Sequence, residues 1–243
     1  MAARARLRRR RPERKCKAMR SEHLIGTSIP RFTYDTPLAP GNDFYALCQG
    51  SELLAMIFLP AFGHPIAREY IARYLKSLGQ LKGVRLACVV RSSSQEVASV
   101  LEGRDFPFPL ICDGQGVLYN FMGVEQAGIL QSWSFAAQRI FKNARAQGFS
   151  YDKNAPQMLP LTLVIGPEGK ILFAHYGRSL TDLPEDCGTI RSICEEVRRV
   201  SQAAGKKSDP ARSDETLTLP DLAQALGRSP EEEESDAMSS LFF

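Results

Sequence analysis

The sequence predicts an α/β protein with a central mixed β-sheet and helices on its faces, and three observations indicate this class. Leu53–Leu59 and Val84–Val90 are apolar runs of strand length, the second interrupted by Arg85, as is typical of strands buried on both faces. Segments with helical spacing of apolar residues follow both runs, and this β-α-β order predicts parallel neighbouring strands. Later, Leu161–Ile165 and residues 170–175 are joined by a Gly-Pro-Glu-Gly turn, which predicts an antiparallel hairpin.

The helices and the short strand between these runs follow from local signals. Residues 65–78 place six apolar residues on one helical stripe and end at Gly79. Residues 94–102 predict a helix with Ser93 or Ser94 as its N-cap. Residues 109–112 are a short strand candidate.

The second half of the body is less regular before its closing elements. Residues 133–148 have no clean period, and we expect Phe135, Ile140 and Phe141 to be buried there. Residues 189–203 form an amphipathic pattern that predicts a final helix.

Length and composition are those of an ordinary globular protein. A chain of 243 residues, 44% hydrophobic and 24% charged, can form one domain or just reach two. No apolar run approaches the roughly 18 residues that span a bilayer. The net charge of +4 divides into +9 for residues 1–20, +2 for 21–207 and −7 for 208–243. The body therefore gives no electrostatic reason to expect nucleic-acid binding.

Charge and composition predict three segments: a basic disordered arm over 1–20, a folded domain over 21–205 and an acidic disordered tail over 206–243. The arm admits several interpretations, namely a targeting peptide, a nucleic-acid or membrane-surface arm, or an over-extended gene start with Met19 as the native first residue. We favour the last, because residues 24–32, soon after Met19, resemble the opening segment of a known domain family.

The six cysteines form no C-x-x-C pair and no metal-ligand spacing, so we expect no cofactor, no metal and reduced thiols in a cytoplasmic protein. Cys88 lies in a buried-looking strand, and Cys112 lies at a strand end beside Asp113, which raises a thiol pKa. Cys48 is expected in an exposed loop before the first long strand. Cys187 precedes a predicted helix N-terminus, where a thiol pKa is lowered.

The most informative motif is the turn over residues 63–69, Gly-His-Pro-Ile-Ala-Arg-Glu. It follows the first long strand and resembles the Gly-Cys-Pro-x-Cys-Arg-Glu turn of the alkyl hydroperoxide reductase C/thiol-specific antioxidant family, which has a thioredoxin-like fold. The equivalent positions in this chain are Gly63, His64, Pro65, Ala67 and Arg68. Both cysteine positions are therefore filled by other residues.

Other segments support the same resemblance in the same order along the chain. Gly26 to Phe32 resembles the domain opening, and residues 89–93 resemble a strand-to-helix passage of the family. Residues 106–124 resemble its FPFPL…D…LY…G stretch, and residues 159–170 resemble the segment that holds the cis-proline. The resemblance spans roughly residues 24–200 and implies a thioredoxin-like fold with a cis bond before Pro160.

The resemblance implies an antioxidant oxidoreductase that reduces peroxides with thiol reductants, yet its site is incomplete here. In the family a Thr or Ser lies three residues before the reactive cysteine, and an Arg lies near the cis-proline position. Ala61 and Pro160 stand at those places. A C-x-x-C register places Gly63 and Ile66 at the two positions, again without sulfur. We therefore expect weak or absent peroxidase activity.

For His64 and for Arg68 we favour an interpretation in which the side chain has no chemical role. At a helix N-terminus a neutral imidazole is expected, which could serve as a base or ligand. We nevertheless expect His64 to face solvent without a chemical role. Arg68 is expected to be solvated or to pair with Glu69.

Two functional hypotheses from different classes follow. One is a redox enzyme that uses a displaced thiol, with Cys48 and Cys187 as candidates. The other is a non-catalytic binding or regulatory module, which holds a thiol reductant or a protein partner by backbone pairing in the groove beside Pro160. The sequence leaves a homodimer open and predicts no transmembrane segment.

Overall fold

The computed structural model describes residues 24–132, 134–152 and 155–207. The chain divides into one compact unit up to Arg199 and a second from Val200, of which only the end of the last helix is described. The predicted arm and the start at Met19 lie outside the described residues. So does the predicted tail, except for residues 206 and 207, which are helical.

The described elements include the strands and helices that the sequence predicts for the body, together with several short ones that it does not predict. The strands are β1 Thr33–Tyr34, β2 Asn42–Asp43, β3 Leu53–Leu59, β4 Val84–Val90, β5 Leu110–Cys112, β6 Leu161–Ile165 and β7 Ile171–Tyr176. The α-helices are α1 Phe44–Gln49, α2 Pro65–Ser77, α3 Ser94–Leu101, α4 Val117–Phe121, α5 Ile129–Ser132, α6 Phe135–Ala146 and α7 Cys187–Lys207. A 3₁₀ turn, Leu78–Gln80, follows α2.

Five strands form one mixed sheet in the order β5-β4-β3-β6-β7. β3 pairs with β4, and β4 with β5, in parallel, whereas β6 and β7 form the predicted antiparallel hairpin with β6 beside β3. These pairings confirm the predicted fold class. The register of Phe58 opposite Leu161 places Pro160 next to the carboxyl end of β3.

Each face of the sheet carries its own apolar core. All seven residues of β3 are buried, with Leu53, Ala55, Ile57 and Leu59 in one core and Leu54, Met56 and Phe58 in the other. Helices α2, α6 and α7 contribute to the first core, and α1 and α4 to the second. Burial on both faces explains why β3 reads as an unbroken apolar run.

Helix ends follow the sequence signals closely. Ser93 caps α3 in a complete capping box, in which its hydroxyl accepts from the Glu96 N–H and the Glu96 carboxylate accepts from the Ser93 N–H. Helix α2 begins at Pro65, a residue suited to the first helical position.

Two expectations about single segments are wrong. The segment that contains Cys48 is a short helix, α1, capped by the Asp43 carboxylate, rather than a loop. Phe135 is 99% exposed, whereas Ile140 and Phe141 are buried as expected. Phe135 is the first residue of α6, and the buried residues of that helix lie on another of its faces. In the described part of the chain no helix has both the length and the apolar character needed to cross a membrane.

Candidate functional site

The candidate site is the turn between the carboxyl end of β3 and the N-terminus of α2. Two hydrogen bonds fix its backbone: the His64 N–H donates to the Ala61 carbonyl at 2.8 Å, and the Phe62 N–H donates to Ser92 Oγ at 3.0 Å. Ser92 follows β4, so the turn is tied to the neighbouring parallel strand. Sequence reasoning did not single out Ser92, although it lies in the strand-to-helix passage that resembles the family.

His64 is the N-cap of α2 and is buried. Its Nδ1 accepts a hydrogen bond from the Ile66 N–H at 3.2 Å, and the side chain is only 4% exposed. The ring makes edge contacts with Phe141 at 5.5 Å and Tyr151 at 5.4 Å between centroids. The expectation that His64 faces solvent is therefore wrong, because Phe141 of α6 and Tyr151 after it pack against the ring.

The surroundings of His64 keep its imidazole neutral. Burial lowers the pKa of His64 to about 4, because a charged ring loses its hydration inside an apolar cluster. Since Nδ1 accepts a hydrogen bond, the proton of the neutral ring is on Nε2. Within the described residues the buried Nε2 has no hydrogen-bond partner.

The remaining turn residues divide between surface and core. Gly63 and Arg68 are exposed, and Pro65 and Ala67 are buried. The Arg68 guanidinium lies 3.8 Å from the centroid of the Phe149 ring, a cation–π geometry. It is Arg73, not Arg68, that pairs with Glu69, at 2.9 Å. The aromatic residues around the turn come from distant segments that carry no local signal of their role.

Pro160 occupies the expected place in space but not the expected isomer. The Leu159–Pro160 bond is trans, since the described residues contain no cis peptide, so the predicted cis bond is wrong. Trans is the preferred isomer even before proline. With the trans bond, Pro160 contacts a neighbouring segment of the chain. The Pro160 carbonyl accepts from the Gly177 N–H at 2.8 Å. A Cβ at Gly177 would lie 2.5 Å from Pro160 Cγ, so this close approach requires glycine.

The backbone before Pro160 is already paired within the chain. The Leu159 N–H donates to the Glu125 carbonyl at 2.8 Å, and the Ala127 N–H donates to the Gln157 carbonyl at 2.6 Å. These bonds flank an antiparallel bridge between Gln126 and Met158. We call residues 125–127 the strap. The strap therefore already pairs with the backbone before Pro160, and a partner in the groove beside Pro160 stays a prediction.

Neither displaced-thiol candidate is exposed. Cys48 is fully buried in α1, and burial raises the pKa of its thiol to about 11. Cys187 is the first residue of α7, is fully buried, and lies with Sγ 3.3 Å from the Tyr74 carbonyl, to which its S–H donates. Burial raises the pKa of Cys187 as well. The expected exposure of Cys48 and the expected low pKa of Cys187 are both wrong.

The other three described cysteines have raised pKa values too. Cys88 is fully buried in β4 as expected, and burial raises its pKa well above the usual range. Burial raises the pKa of Cys194 to about 11. Cys112 is partly exposed, and burial, followed by the Asp35 carboxylate rather than Asp113, raises its pKa to about 12. All five described cysteines are unpaired thiols.

The described residues contain no group of three or more His, Cys, Asp or Glu side chains that could hold a metal ion. The turn offers a buried, neutral imidazole in contact with two aromatic rings, and residues 61–69 contain no sulfur.

A family model described as "AhpC/TSA antioxidant enzyme" matches residues 71–179. The matched range starts inside α2 and contains β4 to β7 and Pro160. The turn with His64 lies before it. No curated protein sequence matches the chain.

The chain is similar to several solved structures. Peroxidoxin BcpB from Mycobacterium tuberculosis is 15% identical, covers 73% of this chain and 97% of its own, and has a TM-score of 0.50. A cysteine-to-serine mutant of the peroxiredoxin 6 of Arenicola marina is 16% identical, covers 82% and 87%, and has a TM-score of 0.48. The thiol peroxidase from Chromobacterium violaceum is 10% identical, covers 72% and 87%, and has a TM-score of 0.47. The first of these likenesses confirms the thioredoxin-like fold, and at this identity it extends no further than the fold.

Proposed function

We propose that this chain, a relative of the AhpC/TSA antioxidant enzymes through residues 71–179, does not reduce peroxides with a thiol and acts instead as a binding or regulatory module on a peroxiredoxin-like frame. The observation that carries this proposal is the buried, neutral His64 at the place of the family's reactive cysteine.

Thiol-dependent peroxide reduction needs a thiolate that attacks the O–O bond, becomes a sulfenic acid and releases water or an alcohol. A helix N-terminus assists by stabilising the anion. At this turn the Ile66 N–H donates to an imidazole nitrogen instead. An imidazole cannot undergo the two-electron oxidation that converts a thiolate to a sulfenic acid.

A displaced thiol has little support from the described cysteines. Four of the five are fully buried, and all five have raised pKa values. A thiol with a raised pKa forms little thiolate at neutral pH and is a poor nucleophile there. Five unpaired thiols support a reducing compartment such as the cytoplasm for this protein.

The strap constrains where a partner binds. Residues 125–127 pair with the backbone before Pro160. While this pairing is intact, a partner contacts another surface. A partner that uses this groove must first displace the strap.

Peroxide turnover tests the proposal directly. Consumption of hydrogen peroxide and of cumene hydroperoxide, with dithiothreitol or thioredoxin as reductant, is measured for the wild type and for each Cys→Ser variant. We expect the wild-type rate to equal that of a protein-free blank. Turnover that a single Cys→Ser substitution abolishes would refute the proposal and identify the displaced thiol.

The substitution His64→Cys asks whether the turn lacks only its sulfur. We expect it to leave peroxide turnover at the blank level, because Ala61 and Pro160 replace the other activating residues and Phe141 and Tyr151 bury the position. His64→Ser is the matched control, since it leaves a similar space without a thiol. Peroxide turnover by His64→Cys but not by His64→Ser would mean that the rest of the site still supports peroxidase chemistry once a thiol is present.

A further inference from the structure

Helix α6 packs against the turn with one side and presents a basic side to solvent. On the buried side, Phe141 contacts the His64 ring. Phe135, Arg139 and Lys142 lie on the opposite side, because they follow one another at the i, i+4 and i+7 spacing of one helical face. All three are exposed, Phe135 at 99%. The exposed surface that we call the ridge consists of Phe135, Arg139, Lys142 and Arg145.

The cations of the ridge have no acidic counterpart in this part of the chain. Residues 126–151 contain no Asp and no Glu. The ion pairs formed among the described residues include neither Arg139, Lys142 nor Arg145. The positive charges of the ridge are therefore available to an anionic partner.

A further cation lies near the C-terminal end of the ridge. The Phe149 N–H donates to the Ala144 carbonyl of α6 at 2.9 Å, and the Arg68 guanidinium lies 3.8 Å from the centroid of the Phe149 ring. The exposed Arg68 thus extends the positive surface from α6 to the start of α2. Like charges that lie close together raise the local positive potential, which attracts an anionic partner.

The extent and composition of the ridge favour a short acidic segment of a protein. From Arg139 to Arg145 the helix rises about 9 Å, which is the length of about three residues of an extended peptide. Guanidinium groups bind carboxylates in bidentate geometry, and Arg and aromatic side chains are enriched in protein interfaces. Nucleic acids and membranes are bound over wider positive areas, whereas residues 21–207 as a whole carry only +2.

We propose that the ridge binds a short acidic segment of a partner protein, whose carboxylates contact Arg139, Lys142 and Arg145 and whose apolar side chain packs on Phe135. The ridge is exposed while the strap pairs with the backbone before Pro160. The proposal rests on the proposed function for the binding role, and it names the surface and the class of partner.

The test is a titration of the full chain with the acetylated peptide Glu-Glu-Glu-Glu-Phe, followed by heteronuclear NMR at the amides of α6. Site-resolved detection is needed because residues 1–20 are strongly basic and attract the same peptide. We expect saturable shifts at Phe135, Arg139 and Lys142, with a Kd on the order of 1 mM or tighter. The peptide Gln-Gln-Gln-Gln-Phe is expected to bind at least about tenfold more weakly, because it lacks the carboxylates.

Charge reversal on the ridge is compared with the same charge change elsewhere. The double substitution Arg139→Glu/Lys142→Glu is expected to weaken binding of the acidic peptide at least about tenfold, because two attractive contacts become repulsive. The control is Lys82→Glu/Lys170→Glu. Both lysines are exposed and lie before β4 and in the β6–β7 turn, at the other end of the sheet from the ridge. This control is expected to bind the peptide as the wild type does.

Three results would overturn the proposal. The first is the absence of saturable shifts in α6 with the acidic peptide. The second is an equal effect of the ridge variant and the control variant on binding. The third is a response of the α6 amides to single-stranded DNA or to phosphatidylserine vesicles but not to the peptide. None of these results touches the proposed absence of peroxidase activity, which the peroxide assay measures independently.

Discussion

The imidazole of His64 caps helix α2 in the way that a Ser or Asn side chain usually caps a helix. Its Nδ1 accepts the Ile66 N–H, which would otherwise lack a partner at the helix start. The same ring is buried against Phe141 and Tyr151. One side chain therefore satisfies the helix end and fills the space at the turn, and it does both only while it is neutral.

This dependence predicts that acid destabilises the fold through His64. Its pKa is 6.5 when unperturbed and about 4 in the folded chain, so the unfolded state takes up a proton first. The stabilisation is present above about pH 6.5 and is lost as the pH falls toward 4. Between about pH 7 and about pH 4.5, we expect His64 to account for a loss of about 2 kcal/mol in the free energy of unfolding.

Urea unfolding at the two pH values measures this effect, with His64→Asn as the control. Asn retains an N-cap acceptor but does not titrate, so its variant should lose less stability on acidification, whatever its stability at neutral pH. An equal loss in both proteins would contradict the account of His64.

Some properties of single residues could be predicted from the sequence, and others could not. The resemblance of residues 63–69 to the family's turn, and the absence of sulfur from them, are visible in the sequence. The burial of His64 is not, because it depends on rings from α6 and from Tyr151, far along the chain. Cys48 looked exposed because a helix of only six residues, α1, is too short to show a period.

At the scale of elements, the strap pairs with the segment before Pro160, so a partner in that groove would have to displace it. Two hydrogen bonds and the bridge between Gln126 and Met158 join them. An extended peptide binds by strand addition where such backbone is unpaired, and here the chain supplies the pairing itself.

Native-state hydrogen exchange tests whether the strap is closed in solution. We expect the amides of Ala127 and Leu159 to exchange at least about a hundredfold more slowly than unprotected amides, because both donate within the chain. The amide of Gln115, in an exposed turn, serves as the reference for fast exchange. If Leu159 exchanges as fast as Gln115, the groove is open and a peptide partner becomes the better hypothesis.

The main elements could be predicted because their signals are local. β3 and β4 are apolar runs buried on both faces, and Ser93 with Glu96 forms a capping box that is visible in the sequence. The strap could not be predicted, since a single bridge between distant segments leaves no periodic pattern. The trans bond before Pro160 differs from the isomer that family resemblance implies, and no local residue pattern distinguishes the two.

At the scale of the whole molecule, the fold and the turn over residues 63–69 give different information about function. A family model described as "AhpC/TSA antioxidant enzyme" matches residues 71–179, and the chain has a thioredoxin-like fold. The matched range begins after the turn, and residues 63–69 contain no sulfur. We therefore propose that the fold is retained for binding or regulation.

Site-resolved alkylation tests this central claim most directly. The native protein is treated with iodoacetamide from about pH 6 to about pH 10, and each cysteine is quantified by peptide mass spectrometry against the urea-unfolded protein. We predict that Cys48, Cys88, Cys112, Cys187 and Cys194 all react at least about tenfold more slowly at neutral pH in the native protein than in the unfolded one, because burial raises their pKa values. A native cysteine among these five that reacts faster than in the unfolded chain, with an apparent pKa below about 8, would contradict the account.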